Sequence, residues 1–193
     1  MSEELEWRFS WRAVDKRPTV AVEIKPASRA LWPQFRLYHY MSAALVNGAR
    51  CYALYVNERL AAFAATLHFP HPRRWNIWRV YRVVVLPDWQ GLGLGMALIG
   101  RLGGAHRAVG HELRIQTASA VFGRVLYRSS EWKLVASGFS SSSSSSRARK
   151  VQVGKHGGKF TIGFRYVGSC DPMAAAMLLG ASNSPSLPAR GSG

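Results

Sequence analysis

Apolar residues fall in short runs separated by polar or Pro/Gly-rich breaks, and the period of those runs predicts the elements. Cys51-Tyr-Ala-Leu-Tyr-Val56 and Leu60 to Leu67 flank the polar Asn57-Glu-Arg and read as a β-hairpin. Trp78 to Leu86 is a Val- and aromatic-rich strand stopped by Pro87. Glu112 to Thr117, a run beginning at Lys133 to Ala136, and Phe160 to Val167 are further strands. Helical spacing covers Ser28 to Leu45, through Leu31, Phe35, Tyr38, Ser42 and Leu45; Pro33 suits a first turn, which moves the start toward Leu31. Gly91 to Ala108 is a second helix, with Leu94, Ala97, Leu98, Leu102 and Ala105 on one face, and Ser119 to Arg128 a third. Residues 1–26 are polar, broken by Pro18 and Pro26, and suit a leading strand or arm. His68 to Trp75 is a loop set by Pro70 and Pro72.

Strands interleaved with helices predict an α/β fold. The expected organisation is one domain over 1–168, a Ser-rich flexible loop at 137–150 built around Ser140 to Ser146, and a disordered tail over 169–193. No run of ~18 apolar residues is present, so no membrane partner is expected. The acidic start is unlike a secretory signal, which makes the cytoplasm the default location. Two cysteines, Cys51 and Cys170, exclude a disulfide scaffold.

Charge changes the picture more than composition does. The chain of 193 residues carries a formal net charge of +16. Between Glu23 and Asp88 the only acid is Glu58, against Arg29, Arg36, Arg50, Arg59, Arg73, Arg74, Arg79 and Arg82. A second basic group spans Arg147 to Arg165. Such a balance points to an anionic partner, with a merely well-solvated surface as the plain alternative.

The stretch that carries chemistry is Val83-Val-Val-Leu-Pro-Asp-Trp-Gln-Gly-Leu-Gly-Leu-Gly-Met96. A strand, a turn and a glycine-rich helix start let backbone N–H groups approach a phosphate with no side chain in the way. The sixth position of a dinucleotide fingerprint is Met96 rather than Gly, and Gly154 to Lys159 is one residue short of a nucleotide-binding loop. A tight turn that merely needs glycine is the remaining alternative. His68 and His71 give only two potential metal ligands, so no metal site is expected.

Gln90-Gly-Leu-Gly-Leu-Gly95 resembles the Gln/Arg-x-x-Gly-x-Gly/Ala signature of the GNAT acyl-CoA-dependent N-acetyltransferases. The resemblance runs from about Trp7 to Val167. Within the superfamily the chain is similar to a bacterial and phage group, through Tyr38-His-Tyr-Met-Ser42, His68 to Pro72, Arg82 to Gly91 and Tyr166-Val-Gly168. It implies a mixed central sheet of six to seven strands flanked by helices, with a splayed pair of central strands holding acetyl-CoA or another acyl-CoA. It places the cofactor on Val83, Val84, Val85, Gln90, Gly91, Leu92, Gly93, Leu94, Gly95 and Met96, with a backbone amide near Val85 polarising the thioester carbonyl. It makes Tyr127 the acid that protonates the leaving thiolate. The fourth strand lacks the Glu that many members use as base, and His39, beside the acceptor site, is the candidate.

The expected activity is acetyl transfer to an amine of an anionic or nucleic-acid-associated acceptor, by a monomer or homodimer with Trp75 or Trp78 at its interface. The rivals are a DNA- or RNA-modifying enzyme on the same fold and a non-catalytic binding module.

Overall fold

A computed structural model describes residues 21–39, 45–140 and 159–180. A seven-stranded sheet has the order β1-β2-β3-β4-β5-β7-β6. Its strands are β1 (Val22–Ala27), β2 (Arg50–Val56), β3 (Arg59–His68), β4 (Ile77–Val85), β5 (Glu112–Thr117), β6 (Trp132–Ser140) and β7 (Lys159–Tyr166). Every neighbouring pair is antiparallel except β4 and β5.

The β2–β3 hairpin turns on Asn57 and Glu58, both with positive φ (46° and 64°). Two such residues form the primed turn whose twist matches paired strands. Asn57 Oδ1 also accepts from the Ala21 amide at 3.2 Å, which ties the start of β1 to the turn. Pro26 is tolerated because β1 is an edge strand.

One sheet face is covered by α2 (Leu94–Ala108) and α3 (Ala120–Arg128). Leu98, Ile99, Leu102 and Ala105 of α2 are fully buried against Leu54, Ala62, Val80, Leu113 and Phe164. Ala97, assigned to that face by periodicity, is exposed, and Ile99 takes its place. The other face is covered over β2–β4 by α1 (Trp32–Phe35), whose Trp32 and Phe35 pack on Phe63.

Two elements depart from the sequence reading. The helix expected to reach Leu45 is three short pieces, α1 between 3-10 turns at Arg29–Leu31 and Arg36–Tyr38. His39 is extended (φ −103°, ψ 129°), so the chain leaves helical geometry there, and residues 40–44 lie outside the described set. The tail expected to be disordered from 169 is folded as far as 180. Asp171 caps α4 (Pro172–Ala174), accepting from the Ala174 amide at 2.9 Å, and a π-turn follows at Ala175–Leu179. Ala174, Ala175 and Leu178 are buried against α2 and β1. Arg101 and Asp171 form an ion pair at 2.5 Å, and Arg107 donates to the Val167 and Gly168 carbonyls. Residues 137–140 of the expected loop continue β6; residues 141–158 and 181–193 lie outside the described set.

Gly103 is the contact point between α2 and β7. A Cβ there would lie inside van der Waals contact of the Tyr166 ring. Gly103→Ala is expected to destabilise the protein by about 1–3 kcal/mol through overpacking. Urea unfolding of the variant would check this; an unchanged midpoint would mean the helix moves away without cost.

A cluster of rings closes one end of the sheet. His106 is completely buried, its Nδ1 3.3 Å from His111 Nδ1, and its Nε2 has no partner. Trp78 packs on both imidazoles and carries the Arg50 guanidinium 4.8 Å from its ring centroid. Trp78 is partly buried and packs on the core, whereas Trp75 is exposed.

Candidate active site

The parallel seam between β4 and β5 is short. Ile77–Val80 pair with Glu112–Ile115, and there the pairing ends. On the β3 side the register steps from Ala65↔Arg82 to Thr66↔Val80, which leaves Tyr81 as an extra residue on β4. This β-bulge turns β4 away from β5. Beyond it, Arg82–Val85 pair only with β3, and their β5-side backbone groups face a groove of about 890 Å³.

The glycine-rich turn closes one end of that groove. Pro87–Trp89 form a 3-10 turn, and Gln90 Nε2 donates to the Val85 carbonyl at 3.0 Å, folding the turn back on the strand. Gly91 and Gly93 have φ of 81° and 77°, values that cost a residue with a Cβ about 1–2 kcal/mol. Gly93 is the N-cap of α2 and its carbonyl accepts the first helical bond, from Ala97, at 3.0 Å. The first-turn amides of α2 therefore have no helical acceptor, no side chain caps them, and no acid lies in that turn. Free N–H groups and the positive helix end together suit a phosphate group.

Of the residues singled out as cofactor-binding, Val83, Val84, Val85, Gln90, Gly91 and Gly95 line the groove. Leu92, Gly93, Leu94 and Met96 complete the turn without lining it; Leu92 is exposed, and Leu94 and Met96 pack partly on the core.

The two candidate catalytic side chains are separated. His39 lines the groove, its ring edge-on to Trp32 at 5.8 Å. Tyr127 is 71% exposed and lines a different hollow of about 300 Å³ with Ala120, Gly123, Arg124, Leu134 and Phe160. Helical geometry explains the split. Residues 120, 123, 124 and 127 share one side of α3, while Val121, Phe122 and the capping Ser119 reach the groove from the other. His68 and His71 hold the 68–76 loop: His68 Nε2 bonds the Trp75 carbonyl at 2.6 Å, and His71 Nδ1 accepts from the Arg73 amide at 3.2 Å. Among the described residues no three His, Cys, Asp or Glu side chains converge as a metal site.

Sequence reasoning missed Tyr81, Arg82 and Arg79, all of which line the groove. The bulge puts Tyr81 and Arg82 together: Arg82 Nη2 donates to Tyr81 Oη at 3.0 Å, and Nη1 donates to the Tyr81 carbonyl at 2.9 Å. Arginine in the middle of an otherwise apolar strand was the available signal, because arginine is rarely buried without a partner.

Comparison with known proteins agrees with this geometry. The sequence profile of the Acetyltransferase (GNAT) family matches residues 12–120, more than half of the chain. The chain belongs to the GNAT acetyltransferase family. No curated protein matches the sequence. Solved GNAT structures share the fold at low identity. An IAA acetyltransferase from Bacillus cereus is 17% identical, with a TM-score of 0.56 over 76% of this chain and 100% of that one. The ribosomal-protein-S18-alanine N-acetyltransferase of Escherichia coli is 18% identical, with a TM-score of 0.54 over 75% and 92%. An acetyltransferase from Salmonella typhimurium, solved with its cofactor acetyl-CoA, is 17% identical, with a TM-score of 0.52 over 76% and 93%. The splayed strands and the glycine-rich helix start are thus parts of a GNAT fold, with a seven-stranded mixed sheet as expected.

Proposed function

We propose that the protein transfers an acetyl group from acetyl-CoA to an amine of a negatively charged acceptor. One observation carries the cofactor assignment: a groove between parted parallel strands ends at an uncapped, glycine-opened helix start. The N–H groups from about Gln90 to Met96 would receive the pyrophosphate. The bare backbone of Val83–Val85 would pair with the amides of the pantetheine arm, as a strand would. The relative crystallised with acetyl-CoA supports the choice of donor.

Transfer joins the amine nitrogen to the acetyl carbon and breaks the carbon–sulfur bond. The amine loses a proton and the departing thiolate gains one. An amide N–H near Val85 would stabilise the oxyanion between these events. His39 lines the groove wall and would take the amine proton.

The reading is tested by thiol release from acetyl-CoA with a panel of amines. His39→Ala is expected to lower kcat by about a hundredfold, the scale of a lost general base. Tyr127→Phe, on the far side of α3, is expected to lower kcat less than about tenfold. Collapse in Tyr127→Phe with His39→Ala unaffected would return the proton chemistry to the tyrosine.

A further inference from the structure

We propose that Arg79 and Arg82 form an anion anchor at the acceptor end of the groove, so that the acetylated amine bears a carboxylate or phosphate of its own. The inference deepens the acetyl-transfer reading and rests on it for the word acceptor.

Arg82 is only 5% exposed, and its Nε has no hydrogen-bond partner. Its guanidinium bonds to Tyr81 and lies 3.8 Å from the Tyr81 ring centroid and 6.0 Å from that of Trp32. Arg79 is half-buried, with its guanidinium 3.7 Å from the centroid of the Phe69 ring. Neither arginine takes part in an ion pair among the described residues, and no Asp or Glu lines the groove. Sequestering a charge without a counter-charge is costly. Two such charges on one wall of one cavity fit a site whose counter-charge arrives with the ligand.

The surroundings extend the same field. Arg79 stands opposite Arg114, Arg114 opposite Arg165, and Arg165 opposite Lys133. Alternation puts this row on the sheet face away from α2. Like charges directly opposite each other destabilise a sheet, so packing does not account for the row. The nearby carboxylate, Glu112, is already bonded to Arg74 and Arg114. Burial, and then Arg114, pull Arg79 below the ordinary arginine range, the same field acting on the side chain itself.

The CoA pyrophosphate does not reach Arg79: its cradle follows Val85, and Arg79 is six residues back along β4, about 20 Å of strand, with Arg82 between them at about 10 Å. A planar guanidinium fork matches carboxylate and phosphate oxygens alike.

The test uses the full chain with 15N-labelled arginine. The Arg79 and Arg82 Nε–H signals, assigned through Arg79→Gln and Arg82→Lys, are followed while succinate or inorganic phosphate is added at constant ionic strength. Saturable shifts are expected, with the Kd at least tenfold weaker in Arg79→Gln; whichever anion binds tighter names the group on the acceptor. Thermal unfolding verifies the fold of each variant. Linear, non-saturating drift, or an unchanged Kd in Arg79→Gln, would overturn the anchor. Acetyl-CoA binding is measured on the same samples. Saturable anion binding without acetyl-CoA binding would sink the transfer reading and leave the anion site standing.

Discussion

Gly93→Glu is expected to abolish stabilisation by acetyl-CoA. At ~100 times its Kd a ligand stabilises the native state by about 2.7 kcal/mol, a clear thermal shift in the wild type. The substitution acts in two ways. Gly93 has a φ of 77°, which a side chain adopts at a cost of about 1–2 kcal/mol. The new carboxylate would also stand beside the free amides of α2, as a competing anion against the pyrophosphate. Open space surrounds the position, so the side chain meets no clash; the backbone strain lowers the unliganded melting point modestly, and the carboxylate removes the binding. The check is a thermal titration of both proteins, with the unliganded melting of the variant as control. A folded variant that still shifts with acetyl-CoA would move the pyrophosphate away from this turn.

Acid is expected to destabilise the fold well above the carboxylate range. Burial, aided by His111 and Arg50, pushes His106 down to about 3, against 6.5 in an unfolded chain. Above pH 6.5 both states hold a neutral imidazole and the stability is fully present. Below it the unfolded chain binds a proton that the native state refuses, so stability falls until about pH 3. The difference amounts to about 5 kcal/mol at most, and about 2 kcal/mol by pH 5. His111, pushed down chiefly by its own burial, adds in the same direction. Urea unfolding at pH 7 and pH 5 measures the effect, and His106→Leu should remove most of it. Equal wild-type stability at the two pH values would show that the buried imidazole escapes its surroundings at no cost.

Much of this was legible in the chain. Asn57-Glu58 between two apolar runs marks a hairpin, and alternate glycines after a Val-rich strand mark the turn and the start of α2. These are local signals, in which a residue type answers a backbone demand. What escaped depends on long-range pairing. No local pattern reveals that β4 carries one residue more than β3 can match, yet that bulge opens the groove and brings Tyr81 and Arg82 together. Tyr127 sits at the expected point in the order strand, helix, tyrosine, but the rotation of α3 aims it at another hollow. The folded stretch at 171–180 is a short apolar run inside an otherwise small, polar and Pro-interrupted tail, and only its packing on α2 shows that Ala174, Ala175 and Leu178 belong to the core, with Asp171 against Gly104.

The short seam also has a mechanical consequence. Within the sheet, four residue pairs join the β1–β4 half to the β5–β7–β6 half, backed by the body of α2 and, at the far end from the groove, by Asn76 and Arg74 on Glu112. The two halves are the leaves of a hinge, with its knuckle at Val80 and Ile115 and its opening toward the glycine turn. A guest lying between the leaves would brace them, and rigidity on both sides of the cleft would become a property of the complex rather than of the chain alone.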